Sequence, residues 1–266
     1  MIDYHLHSKR CGHAVGEMRD YVTSAIEKGF DEIGFSDHLP LIHFYDPALT
    51  MSWDDFPFYI ADVARMKDEF KEIEIRLGIE VDYIPGKERE IQSIIAEYDF
   101  DYVLGSVHFI DGWGFDDRRY IDNYDNYSIE DLYKRYFKEV ADSAKTKLFD
   151  IIAHPDLIKK YGFRPNVELD DVYAKTIDVI KESGAAIEIN SAGLRKPAKE
   201  IYPSQDFINI CFTRGVPVVT GSDAHSPDDV GRDFDKLVES LKTAGYTDVA
   251  TYVARERIMT ELKDRA

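Results

Sequence analysis

Cysteine is scarce in this sequence: among 266 residues only Cys11 and Cys211 carry a thiol. Two thiols so far apart give no disulfide framework. Long hydrophobic runs are missing as well. With no stretch of about 18 apolar residues, no membrane-spanning helix is expected. Basic charge is in deficit, with 33 Lys and Arg against 51 Asp and Glu and a formal net charge of -18. Such a chain repels nucleic acid phosphates in bulk, and no Lys/Arg block overcomes this, so a non-specific DNA or RNA binder is excluded. A small or cationic substrate suits the charge better than a polyanion. No charged-then-apolar leader precedes the first strand, which leads to the expectation of a cytoplasmic protein. No linker or low-complexity segment interrupts the chain, so residues 1–266 are expected to form one domain, as a monomer or small homo-oligomer.

What is present is an apolar fraction of 44%, enough for a substantial core. The pattern alternates between short apolar strands and helical spacing. Strands are predicted over 1–6, 32–36, 74–81, 102–107, 150–153, 185–189 and 216–220. The helices between them stop at glycines such as Gly29, Gly184 and Gly215, which cap helix C-termini well. This alternation predicts parallel strands with right-handed crossovers, and seven units of the kind favour a closed α/β barrel over an open sheet. Two connections, 39–54 and 109–127, are long for plain loops. After Gly245 the pattern predicts a short apolar stretch and then a polar helix over 253–263.

The polar residues fall at the strand ends. His5 and His7 sit two apart at the end of the first strand, where period-two alternation puts both imidazoles on one face. His38 ends the second strand, Glu80 the third, His108 the fourth, His154 the fifth, and Asp223 with His225 the last; His13 follows in the first loop. In a parallel barrel these ends share one face, the usual place for an active site. Of the 8 histidines, only His43 stands outside the set. The donors exceed what one metal takes, so two or three ions fit, with Glu80 and Asp223 able to bridge. Imidazole with carboxylate suits Zn, Mn or Fe. Adjacent ions lower the pKa of shared water and neutralise phosphoryl oxygens, which points to metal-assisted hydrolysis. Spacing alone does not separate phosphate esters from amides or lactones.

Several segments together resemble the PHP (polymerase and histidinol phosphatase) superfamily. They are Asp3-Tyr4-His5-Leu6-His7 with Cys11-Gly12-His13-Ala14, then Gly34-Phe35-Ser36-Asp37-His38, Gly78-Ile79-Glu80-Val81-Asp82, Gly105-Ser106-Val107-His108, Ile152-Ala153-His154-Pro155 and Gly221-Ser222-Asp223-Ala224-His225. Ser106 to Trp113 and Asn190 to Lys196 resemble the histidinol-phosphate phosphatase branch. The resemblance implies a distorted (β/α)7 TIM-like barrel with a trinuclear metal site at its C-terminal face. It implies His5, His7, Glu80 and Asp223 on one ion, His13, His38 and His225 on the second, and Glu80, His108 and His154 on the third. It further implies hydrolysis of L-histidinol phosphate, in histidine biosynthesis, by attack of a metal-bridging hydroxide, with Asp223 or His225 as proton donor to the leaving alcohol.

In that branch an arginine at the Arg195 position is expected to clamp the phosphate, its planar fork being suited to bidentate binding. A second arginine is expected after the fifth-strand histidine, where this chain has Lys159 and Lys160. Asp111, Asp116 and Asp117 are candidates for the cationic end of the substrate or are turn-formers. Trp113 and Phe115 either wall the pocket or pin their loop. Asp3 is a candidate for orienting His5 or His7, and Cys11 reads as a packed thiol. Other readings are a PHP phosphatase or phosphodiesterase on another small ester or nucleotide, an amidohydrolase-type barrel, and a catalytically silent metal-binding scaffold.

Overall fold

The computed structural model describes residues 1–264. In chain order the strands are β1 (Ile2–Leu6), β2 (Glu32–Phe35), β3 (Glu74–Asp82), β4 (Tyr102–Ser106), β5 (Phe109–Ile110) and β6 (Trp113–Gly114). Then follow β7 (Ile151–Ile152), β8 (Ala186–Asn190), β9 (Val218–Gly221), β10 (Asp248–Val253) and β11 (Glu256–Glu261). The helices are α1 (Met18–Glu27), α2 (Phe56–Glu69), α3 (Glu88–Ile95), α4 (Ile129–Lys145), α5 (Asp170–Ser183), α6 (Gln205–Arg214) and α7 (Phe234–Ala244).

Seven parallel strands make the main sheet in the order β1-β2-β3-β4-β7-β8-β9. The ring closes irregularly. His7 N–H donates to the Ala224 carbonyl at 3.0 Å and Ala224 N–H to the His5 carbonyl at 3.1 Å, just beyond the end of β9. The β1–β2 ladder shifts register between Asp3 and Leu6, the span that holds Tyr4 and His5. The expected distorted seven-stranded barrel is therefore what forms. Helices pack outside it through apolar stripes, as in α4, where Leu132, Tyr136, Phe137 and Val140 are buried at helical spacing. Ser128 caps that helix by accepting the Asp131 N–H, and α5 ends at Gly184 in the left-handed region.

Inside the barrel, Tyr102 stacks on Tyr4 with ring centroids 4.5 Å apart. A Cβ on Gly78 would lie 2.3 Å from the Tyr102 Cζ atom, so glycine is what lets the ring enter. The chain end differs from expectation. Residues 253–263 are no helix: β10 and β11 form an antiparallel hairpin, turned by Ala254 and Arg255 at φ 48° and 67°. That turn normally carries glycine or asparagine, so its sequence signal is missing. The β-branched Val249, Thr251 and Val253 favour a strand, and Tyr252 N–H donates to the Tyr4 hydroxyl at 2.9 Å, which docks the hairpin under the barrel. The 109–127 connection also has structure of its own, the β5–β6 hairpin and a 3-10 segment over Arg118–Asn126. Among the described residues no helix is long and apolar enough to cross a membrane.

Candidate metal centre and active site

The strand ends deliver all the expected donors to one mouth. Glu80, near the end of β3, is central. Its Oε2 lies 2.9 Å from His38 Nδ1, 3.3 Å from His5 Nε2 and 3.7 Å from His7 Nε2. Its Oε1 lies 3.0 Å from His154 Nε2 and 3.7 Å from His108 Nε2. Asp223 Oδ1 stands 3.3 Å from both His7 Nε2 and His225 Nδ1. His13 reaches over from its loop, placing its Nε2 2.9 Å from His225 Nε2. Ligand atoms of His5, His7 and Asp223 lie within 4.8 Å of one another, as do those of His5, Glu80 and His154.

A second layer of carboxylates holds the rings. Glu188 Oε1 sits 2.7 Å from His5 Nδ1, while its Oε2 accepts the His154 N–H at 2.8 Å. Asp37 is 3.4 Å from His7 Nδ1 and Asp82 is 2.8 Å from His108 Nδ1. The Cβ that any other residue would add at Gly221 would fall 2.1 Å from Glu188 Oε1, so this strand end must be glycine. A carboxylate on Nδ1 fixes the tautomer and turns the Nε2 lone pair inward. The Nε2 atoms of His5 and His7 are buried with no hydrogen-bond partner. Buried polar atoms are normally paired; two inward lone pairs beside the carboxylates of Glu80 and Asp223 fit divalent cations.

Burial lowers the His5 and His7 imidazoles, but their carboxylate neighbours, chiefly Glu188 for His5 and Asp223 for His7, outweigh it and raise both, His7 to about 9, so a cation bound there takes the place of protons. Burial pushes the Glu80 carboxyl up, but the His38 and His5 imidazoles outweigh it and hold it well below the usual range. Asp223 is likewise held low against burial, chiefly by His5. Burial, with His38 and His7 nearby, brings His13 down to about 4, and His225 falls well below its ordinary value. Both are therefore neutral and able to donate lone pairs at neutral pH. His154 and Asp223 stand in the left-handed region at φ 25° and 52°. Non-glycine residues persist there only where surroundings over-determine them, commonly at functional sites.

Seven of the nine donors, all but His5 and His7, border a cavity of about 260 Å³ that also takes in Lys160, Lys196, Asp116 and Tyr202. Lys160 and Lys196 come from the loops after β7 and β8. Lys160 Nζ pairs with Asp116 Oδ2 at 3.0 Å. Its neighbour Lys159 is buried on the other side of the turn, donating to Glu200 at 2.9 Å and to the Ile201 carbonyl at 2.7 Å, apart from the cavity lining. Arg195 donates to the Ser222 carbonyl at 2.7 Å and is not in the lining; Lys196, which sequence reasoning passed over, is.

Among the other candidates, Asp111 faces solvent with Arg135, and Asp117 pairs with Arg119. Trp113 stacks on Tyr127, pinning its loop, and Phe115 is buried against Tyr136. His43 meets Phe44 and Phe109 edge-on. Cys11 is fully buried near His13, and burial pushes its thiol far up, so it stays protonated. Asp3 touches neither imidazole. It accepts N–H groups from Ser222 at 2.8 Å and Gly231 at 3.0 Å, tying β1 to the loop after β9. Sequence reasoning missed Glu188, whose one signal was an acid inside the apolar run of β8.

Comparison with known proteins gives the family and the fold. The chain is 38% identical over 247 residues to a probable histidinol-phosphatase of Deinococcus radiodurans, covering 92% of this chain and 94% of that one. It is 29% identical to the histidinol-phosphatase of Bacillus subtilis, with 89% and 98% covered. In fold it matches the histidinol phosphate phosphatase of Lactococcus lactis subsp. lactis, whose crystal structure holds Zn, L-histidinol and phosphate. That match has a TM-score of 0.82 at 23% identity and covers 97% of this chain and 98% of that one. The family model described as the PHP domain matches residues 3–192, which include seven of the nine donors gathered at the mouth, and on these grounds the chain belongs to the PHP domain family.

Proposed function

We propose that this chain is a metal-dependent phosphomonoesterase that hydrolyses L-histidinol phosphate to L-histidinol and phosphate, a step of histidine biosynthesis. The observation that carries the reading is a single cavity bounded both by the donor ring and by the lysines Lys160 and Lys196. The names of the relatives support the substrate. In this reading three ions are held, one by His5, His7, Glu80 and Asp223, one by His13, His38 and His225, and one by Glu80, His108 and His154. Zn, Mn and Fe all suit such a donor set. When bound, divalent ions polarise phosphoryl oxygens and lower the pKa of coordinated water.

The chain's own groups do the rest. Lys160 and Lys196 bind the phosphate as point charges. Burial and the nearby Lys160 lower the Lys196 ammonium, a cationic crowding that a phosphate dianion relieves. Arg195, adjacent in sequence and largely buried, joins them by releasing the Ser222 carbonyl and its longer contacts with Asp229 and Asp233. Lys159 is left out, since its ammonium is consumed by Asp156 and Glu200. Asp223 Oδ1 and His225 Nδ1, 3.3 Å apart, form the pair at which the proton given up by the attacking water is taken and from which Asp223 or His225 passes it to the leaving oxygen. Glu188, Asp37 and Asp82 keep the imidazoles aimed. Both cysteines are free and buried, in keeping with a reducing, cytoplasmic compartment. A single working unit over residues 1–266 completes the reading.

The test is phosphate release from L-histidinol phosphate by protein loaded with Mn, Zn or Fe, beside other phosphomonoesters and a phosphodiester. Preference for L-histidinol phosphate, weakened in Lys160→Ala and Arg195→Ala, is expected. Equal turnover of all the esters would keep the chemistry and remove the substrate.

A further inference from the structure

The β10–β11 hairpin sits on the floor of the barrel, at the opposite end from the donor ring. Its turn grips residues that precede three strands of the sheet. Arg255 N–H donates to the Asp101 carbonyl at 2.8 Å, the Arg255 guanidinium reaches Asp150 at 2.8 Å, and Arg257 donates to the Gly184 carbonyl at 2.8 Å. This docking buries β10, where Val249, Ala250, Thr251 and Tyr252 are each at most 5% exposed. It leaves β11 in solvent, with Ile258 51% and Met259 50% exposed.

The backbone of β11 has an open side. Its pairing runs without a bulge from Glu256 opposite Val253 to Glu261 opposite Asp248. A two-residue turn makes Val253 and Glu256 a hydrogen-bonded pair, and alternation then points the N–H and C=O groups of Glu256, Ile258 and Thr260 at β10. Leu262 N–H, which donates to the Thr247 carbonyl at 2.8 Å, keeps the same parity. The groups of Arg257, Met259 and Glu261 therefore point away from β10, and among the described residues no strand lies there to meet them. Proteins normally blunt such an edge with lysine, proline or a bulge. The centre of this one, Ile258-Met259-Thr260, has none of these.

We propose that this edge pairs with the same edge of a second copy of the chain, antiparallel and centred on Met259, giving a floor-to-floor dimer with both mouths open. Only one register uses the outward groups of Arg257, Met259 and Glu261 on both copies. It sets Met259 against its symmetry mate, Arg257 against the partner's Glu261 and Glu261 against the partner's Arg257. The charges select this occupant. Within the hairpin Glu261 stands opposite Asp248, a like-charge pair that costs stability. A second copy brings an arginine to each Glu261 and offsets that cost. Six residues a side make a small interface, so the dimer is expected to dissociate at about micromolar concentrations or above.

The experiment is sedimentation velocity on the full, metal-loaded chain over about 1 to 200 μM, where small interfaces come apart. Wild type is compared with Met259→Lys, Arg257→Glu, Glu261→Arg and the double reversal. A dimer is expected in wild type within this range. Met259→Lys sets two ammonium groups face to face and is expected to weaken it about tenfold or more. Each single reversal opposes like charges and is expected to weaken it about threefold or more, while the double reversal opposes unlike charges again and restores it. Phosphate release per chain and far-UV circular dichroism are expected to stay at the wild-type level throughout, because the floor is remote from the donors. A wild type that is monomeric at every concentration overturns the proposal. So does a dimer that Met259→Lys leaves intact, since its contact then lies elsewhere. Single reversals that weaken the dimer with a double reversal that does not restore it overturn the pairing centred on Met259.

Discussion

The two ends of the barrel solve opposite problems. At the floor, charged groups are paired. Arg76 meets Glu32 at 2.7 Å, Lys67 meets Asp101 at 2.8 Å, and Arg255 grips Asp150 at 2.8 Å. The β10–β11 hairpin closes over them. At the mouth, acids and imidazoles are crowded and left open. Among the described residues, every buried side-chain nitrogen or oxygen without a hydrogen-bond partner belongs to the mouth or to the loops that follow the strands there. The comparison teaches that the floor and the apolar core carry the fold, while the mouth holds unsatisfied groups in readiness for ligands.

The sharpest way to break that contrast is to remove the metal. Chelation is expected to take phosphate release to background while far-UV circular dichroism stays that of the barrel. Collapse of the dichroism on chelation would mean that the donor ring, not the floor, holds the strands together. Next in size is Glu188→Gln, which alters the group behind His5 and His154 without touching substrate. Loss of such a supporting contact is expected to cost about 10–100-fold in metal affinity or activity. Elemental analysis after dialysis checks it, and unchanged metal content would take Glu188 out of the role.

At the floor the expected effects are on stability alone. Gly78→Ala drives a methyl into the Tyr102 ring, and overpacking of this kind costs about 1–3 kcal/mol. Urea unfolding should show it, while kcat of the folded, metal-loaded protein stays near wild type. A large fall in kcat would mean that floor packing sets the mouth geometry. The smallest effect concerns Asp101. Burial would raise its carboxyl, but Lys67 and the Leu77 amide hold it below its ordinary 3.8. A depressed acid contributes stability that is present above the unfolded pKa and lost as pH falls through the folded one. Asp101→Asn should therefore destabilise by about 1 kcal/mol at pH 7. The difference from wild type should shrink as pH drops below about 4, near the unfolded value. A gap that is constant with pH would assign the effect to packing.

Much of this was written locally. Strand and helix periods, glycine stops and a histidine or acid at the end of every strand of the sheet but β8 are short-range features, and parallel topology alone brings such ends to one face. That is why the barrel and the nine donors at its mouth were legible. The chain end was not, because Ala254 and Arg255 make a hairpin turn without its usual residues, and contact with Tyr4 and Asp150 decides the matter. Lys159 and Lys160 are neighbours in sequence, yet one is locked to Asp156 and Glu200 and the other lines the cavity, because adjacent residues in a tight turn point in different directions. The sequence by itself determined the alternating fold and which side chains reach the metal face. Only the tertiary structure decided that Glu188 backs His5 and that Lys196 lines the cavity. Those are pairings between loops and strands far apart in the chain, set by sheet register and loop packing, and no local period encodes them.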